Sequence, residues 1–257
     1  MFKNVIHYKA ILYPLFMLTA MWTAFFLQSH GWFSNCWGAI IPLAPEGLKG
    51  VIFSPLLHGN FSHIVSNSLP IAVLMFLLYQ FYPLVADKIF TWGWIGTGLM
   101  VWMLPAIDPF TGDIRYPCII GASGIVYVLA FFLFLSGVLK KQVKYMAISL
   151  IVILYYGSLI WGMLPEELFN NLTEPSKISW QSHLAGAIVG CSLAIMFRKI
   201  GEKRKMYIWE FPNYYSEKDD KLWQEYKEKH PEDFMELPHK EDDNIWEYLD
   251  EIRKKRP

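Results

Sequence analysis

Six stretches of roughly twenty residues contain no Asp, Glu, Lys or Arg, and they constrain this 257-residue chain more than any other feature: 10–29, 64–86, 89–107, 116–139, 145–165 and 178–197. About 20 predominantly apolar residues are what one α-helix needs to cross the hydrocarbon of a bilayer. Because backbone polar groups in lipid must be satisfied within the segment, the stretches are expected to be helices. With 54% hydrophobic and only 18% charged residues, the chain reads as an all-α polytopic membrane protein, a bundle of six transmembrane helices. The opening "MFKNVIHYK" precedes the first stretch without a small-residue cleavage site, so that stretch is expected to be a retained span.

Charge sets the orientation and the domain plan. Lys3, Lys9, Lys88, Lys140, Lys141, Lys144, Arg198, Lys199, Lys203, Arg204 and Lys205 fall on one side of the predicted spans. Lys49, Arg115 and Lys177 fall on the other. Eleven against three predicts cytoplasmic termini, three long outward loops and a site opening to the extracytoplasmic side. Trp32, Trp37 and Trp180 lie near the outer boundaries, where indoles anchor. Residues 1–197 form the expected membrane core. Residues 198–257 form a charged and aromatic cytoplasmic tail with 14 Lys/Arg and 16 Asp/Glu. Short amphipathic helices are expected in the tail around Trp223–Tyr226 and Ile245–Leu249, broken at Pro231 and Pro238, and its partner is unknown. Cys36, Cys118 and Cys191 have no metal-ligand spacing and are not expected to form a disulfide framework. Pairing of Cys36 with Cys118 requires their loops to meet. The sequon 171–173, "NLT", faces outward on this plan.

On this map the unusual polarity sits at one depth, just below the outer surface. It comes from three segments: "HGNFSHIVSN" (58–67), "CIIGASGIVY" (118–127) and "SWQSHLAGAIVG" (179–190). Polar groups inside spans face a bundle interior or a wet cavity and are functional candidates. A serine in a membrane helix is ordinarily a packing residue, but Ser123 stands between Gly121 and Gly124 at the start of a span. There its hydroxyl is open, and its N–H belongs to a first helical turn with unpaired donors. His183 shares a helix face with Gly186 and Gly190, which permit close helix approach, so its imidazole can reach a hydroxyl on the fourth span. A buried histidine bonded to a carbonyl is the plainer alternative. Tyr127, four residues after Ser123, can stack on the ring. His63 and Asn67 share one face and can donate toward a developing oxyanion together with the Ser123 N–H. His58 is rotated off that face and is expected to brace the outer loop. With no acid in the outer halves of these spans, the pattern is a Ser-His dyad rather than a triad.

These residues resemble the rhomboid family of intramembrane serine proteases. The likeness is carried by "HGNFSHIVSN", "GASG" followed by Tyr127, "HLAGAIVG" and the lead-in "GLKGVIFSPLLH" at 47–58, and it spans about 10–198. The resemblance implies Ser123 as nucleophile, His183 as general base and acid, an oxyanion hole of His63, Asn67 and the Ser123 amide, and Tyr127 as support. It further implies cleavage of transmembrane helices near the outer face and no metal, nucleotide or other cofactor; no nucleic-acid partner is expected. A bacterial inner membrane is the expected location. The first outer loop, "WGAIIPLAPEGLKG", lacks the Trp-Arg pair of many relatives, which puts its anchoring in doubt. Competing readings are a non-catalytic chaperone or transporter, and a hydrolytic zinc held by His58, His63 and His183. The zinc reading lacks the H-E-x-x-H spacing and a nearby acid.

Overall fold

The computed structural model describes residues 6–34, 36–107, 112–164, 179–201, 220–234, 250 and 253–254. The chain divides into two compact units, Met1–Arg204 and Lys205–Pro257. Among the described residues the first unit is built on long helices: α1 (Tyr8–Ser29), α3 (Phe61–Phe81), α4 (Ala86–Met103), α5 (Ser123–Lys140), α6 (Val143–Tyr156) and α7 (Trp180–Met196). A four-residue helix α2 (Gly50–Phe53) lies between the 3-10 turns Pro45–Lys49 and Ser54–Leu56. A 3-10 stretch, Gly157–Met163, prolongs α6.

Four segments are long and apolar enough to cross a membrane by length and composition: Tyr8–Ser29, Phe61–Phe81, Ser123–Lys140 and Val143–Met163. α4 carries Asp87 and Lys88 in its first turn, and α7 is 17 residues long. Only 22% of the apolar window of α1 and 17% of that of α6 is buried within the protein, against 61% of α5. α5 is therefore the centre of the bundle, while Ile11, Leu15 and Phe16 of α1 and Leu150, Leu154 and Tyr155 of α6 point outward. Helices apolar on their outer faces as well as their inner ones are membrane helices.

Contacts at one end fix the alternation of direction. His7 N–H donates to Gln80 Oε1 at 3.0 Å, and Lys9 Nζ meets Asp87 Oδ2 at 2.7 Å, joining the start of α1 to the end of α3 and the start of α4. The rings of Tyr82 and Tyr145 lie 4.9 Å apart, adding the start of α6. Lys140 Nζ donates to the carbonyls of Arg198 and Ile200, adding the ends of α5 and α7. Lys9, Lys88, Lys140, Lys141 and Lys144 thus collect at this end. Lys3, Lys177, Lys203, Arg204 and Lys205 lie outside the described residues.

The helix boundaries correct the expected spans in physically informative ways. The second stretch, 64–86, is helical over Phe61–Phe81 instead, because Asn60 caps the helix by accepting from the His63 N–H at 2.8 Å. The apolar residues 82–85 then make the turn into α4. The fourth stretch, 116–139, begins as extended chain: Ile119 pairs with Ile40 through reciprocal backbone bonds of 2.9 Å, and α5 starts only at Ser123. A short hairpin, β1 (Ala106–Ile107) antiparallel to β2 (Ile114–Arg115), precedes it.

The same Ile40–Ile119 pairing brings Cys36 and Cys118 together. They form a disulfide with Cα atoms 5.2 Å apart, against the expectation from spacing alone. Spacing carries no information about which loops meet, and here an isolated bridge decides it. The loop between α1 and α3, expected to be the first outer loop, is seated without a Trp-Arg pair. Trp94 Nε1–H donates to the Val51 carbonyl at 3.0 Å, and Trp102 Nε1–H donates to the Ala44 carbonyl at 2.8 Å. Gly47 and Gly50 lie against the backbone of Ile41 and Ala39 so closely that neither has room for a Cβ.

In the second unit α8 (Lys221–Lys229) is capped by Asp220, whose Oδ1 accepts from the Trp223 N–H at 3.1 Å; a 3-10 turn follows at Pro231–Phe234. Trp223, Tyr226 and Phe234 pack ring against ring. The expected helix at Ile245–Leu249, the break at Pro238 and the sequon 171–173 lie outside the described residues.

Candidate active site

Ser123 is the first residue of α5, with Ala122 as the N-cap. Its N–H is therefore among the donors that a helix start leaves without an intrahelical acceptor, at the positive end of the macrodipole. α7 is capped by Ser179, which places His183 one turn into the helix and buried. α5 and α7 touch through glycines. A Cβ on Gly186 would run into the Gly124 carbonyl, and one on Gly190 would meet the Val128 carbonyl. Close approach of the backbones brings the side chains of one helix within bonding distance of the other.

His183 Nε2 lies 2.9 Å from Ser123 Oγ, and Nδ1 lies 2.7 Å from the Gly162 carbonyl oxygen. A carbonyl only accepts, so Nδ1 carries the proton and Nε2 presents its lone pair to the hydroxyl. The two readings of this histidine are therefore not exclusive: it is bonded to a carbonyl on one side and to a serine on the other. Tyr127 lies parallel to the imidazole, with ring centroids 4.3 Å apart and planes inclined by 8°, and its hydroxyl donates to the Leu159 carbonyl at 2.6 Å. Such a serine can lose its proton to the imidazole as it attacks a carbonyl.

His63 and Asn67 face the same segment from α3. Gly121 has φ +120°, a conformation L side chains rarely adopt, and a Cβ there would lie 2.7 Å from the His63 ring and 3.9 Å from Asn67 Nδ2. The glycine lets this edge of α3 approach within two residues of Ser123. Asn67 spends one amide hydrogen on the His63 carbonyl at 3.1 Å and retains the other. His58 is buried behind them. Its ring meets that of His63 edge-on at 5.0 Å, its N–H donates to Gln28 Oε1 at 3.3 Å, and its Nδ1 is 3.3 Å from the Leu56 carbonyl. Burial first, and the His63 ring second, push its pKa down to about 4, so it is neutral at neutral pH.

Four residues of this arrangement were not singled out from the sequence. Gln28 reaches the site from α1, and a polar residue closing an apolar span is the signal that could have flagged it. Ser54 accepts the Gly121 N–H at 2.8 Å through its carbonyl, and Gly162 and Leu159 also act through carbonyls. Any residue type offers a carbonyl, so no pattern of side chains announces them. The three histidines proposed as zinc ligands do not converge, since both nitrogens of His183 are engaged by Ser123 and Gly162. No group of three or more His, Cys, Asp or Glu is placed to hold a metal among the described residues.

The family model described as Rhomboid domain matches residues 45–200, which include every residue of this site except Gln28. The chain belongs to the rhomboid family. Members of this family are generally intramembrane serine proteases. The rhomboid chain is similar to uncharacterised proteins of Mycobacterium tuberculosis (strain ATCC 25618 / H37Rv) and Mycobacterium bovis (strain ATCC BAA-935 / AF2122/97), at 34% identity over 161 residues. Those matches cover 61% of this chain and 62% of each relative. An uncharacterised protein of Mycobacterium leprae (strain TN) is 30% identical over 158 residues, 60% of this chain and 58% of the relative. The rhomboid chain thus matches less than two thirds of the length of these relatives. Its apolar helices and its family make it an integral membrane protein.

Proposed function

We propose that this rhomboid is an intramembrane serine endopeptidase that cuts transmembrane helices of other membrane proteins near the extracytoplasmic face. The observation that carries the reading is the 2.9 Å approach of His183 Nε2 to Ser123 Oγ at the start of α5. Ser123 is the nucleophile. His183 takes its proton, then returns it to the leaving amine, and water releases the acyl-enzyme. The oxyanion forms beside the Ser123 N–H, with His63 and Asn67 as the further donors. Tyr127, Gly186 and Gly190 hold the base, and Gly121 and Gly124 keep the nucleophile accessible. The substrate helix unwinds locally, because an intact helix shields its scissile carbonyl within its own hydrogen bonds.

All six long helices cross the bilayer on this reading. The basic end of the bundle is cytoplasmic and the Ser123 end faces outward. The disulfide near Ser123 supports that orientation, since disulfides persist in oxidising compartments. A bacterial inner membrane with its periplasm fits both.

The test is incubation of the purified protein in liposomes with a single-span membrane reporter, comparing wild type with Ser123→Ala. Wild type is expected to cleave the reporter and to be labelled at Ser123 by a fluorophosphonate. Ser123→Ala is expected to do neither while keeping its thermal midpoint. Cleavage by Ser123→Ala at the wild-type rate refutes the proposal, and reporter binding without turnover by wild type marks a holder of membrane helices instead.

A further inference from the structure

α6 ends in a way that matters for the base. At Gly157 the helix tightens to 3-10 geometry and continues so to Met163. The carbonyls at a helix C-terminus lack intrahelical donors and are free to accept from elsewhere. Two carbonyls of this strap are spent on the site: Leu159 on the Tyr127 hydroxyl and Gly162 on His183 Nδ1. The imidazole and the Tyr127 ring stacked on it are therefore both tied to one seven-residue segment. The strap itself has no buried residue, and most of the α6 window points away from the protein.

Gly162 is suited to this contact by what it lacks. A Cβ there would run into the Tyr127 hydroxyl and lie 3.2 Å from His183 Nδ1. The next smallest side chain already displaces the strap from the two groups it holds.

We infer that Gly162 is a positioning residue whose main-chain carbonyl does for His183 what a carboxylate does in a soluble catalytic triad. It selects the tautomer with the proton on Nδ1 and aims Nε2 at Ser123. A neutral carbonyl stabilises the imidazolium less than a carboxylate, but it places no buried charge in the membrane, where an unpaired one is costly. It also makes the alignment of the base depend on where the outer end of α6 stands. When that end moves away from α7, Nδ1 loses its acceptor, and the base is restored only when the end returns.

The activity arm of the test rests on the proteolytic reading; the spectroscopic arm does not. In full-length protein labelled with ¹⁵N-histidine, the His183 signal is assigned by its loss in His183→Gln. Neutral His183 in wild type is expected with Nδ1 protonated, and in Gly162→Ala with the two tautomers mixed. Gly162→Ala is expected to lower kcat on the single-span reporter, and the rate of fluorophosphonate labelling, by roughly ten- to a hundredfold with KM little changed. Gly157→Ala, whose Cβ meets only Ile153 Cγ1 at an ordinary 3.6 Å, is expected to behave as wild type. Wild-type kcat in Gly162→Ala, with His183 still protonated on Nδ1 alone, overturns the inference. So does a wild-type His183 protonated on Nε2, which decides the matter even where Gly162→Ala fails to fold. Should Ser123→Ala cleave the reporter, the proteolytic reading falls while the nitrogen spectrum still tests the strap.

Discussion

Gly121 and Gly162 lie beside the chemistry and contribute no side chain to it. Each makes room: Gly121 for the His63 edge of α3, and Gly162 for Tyr127 and His183. Gly121→Ala combines a strained φ with a clash against the His63 ring. It is expected to reduce kcat by about 10²-fold or more, the loss typical of a disrupted oxyanion site, as measured on the membrane reporter. Asn67→Ala removes one donor and leaves that backbone unchanged. It is expected to lower kcat by about 10²–10³-fold with little change in thermal midpoint or in KM. Ser123, His183, His63, Asn67 and Tyr127 stood out in the sequence because their side chains are chemically conspicuous in apolar surroundings and fall at one depth. Gln28, Ser54 and Leu159 did not, because a brace or a carbonyl leaves no such mark.

At the scale of elements, the α5–α7 contact joins Ser123, the proposed nucleophile, to His183, the proposed base. Gly124, Gly186 and Gly190 leave backbone facing backbone along that contact. Gly190→Val overpacks it against the Val128 carbonyl, two turns from His183. The expected cost is about 1–3 kcal/mol, read as a lower thermal midpoint, together with a drop in kcat as Nε2 draws away from Ser123. Each apolar stretch contains most of a long helix, but the stretches did not mark the helix ends. Asn60 starts α3 earlier than hydropathy suggests, and the Ile40–Ile119 pairing holds the chain before Gly121 out of the helix. Caps and pairing, not apolarity, decide a terminus. The extended approach matters for function, since it delivers Gly121 and Ser123 beside α3 instead of burying them mid-helix.

For the whole molecule, the family match ends at residue 200, and the compact unit Lys205–Pro257 lies beyond it. A chain ending at Arg204 is expected to retain reporter cleavage within about twofold in liposomes. A loss beyond tenfold would assign the tail a part in the reaction. The change in charge density led to an expected boundary at 197/198, while the compact units divide at Arg204/Lys205. The pairing of Cys36 with Cys118 was not legible in the sequence, because it depends on loops that are 82 positions apart. That bond fastens the loop after α1 to the segment leading into Ser123. Its reduction, or Cys36→Ala, is expected to slow fluorophosphonate labelling of Ser123 several-fold and to lower the thermal midpoint. On the proposed function and orientation it also sets a birth order. Both thiols must be exported, and an oxidant must find them, before the segment carrying Ser123 is locked in place. A newly inserted copy of such a protease would then leave the machinery that inserted it before it is fully able to cut.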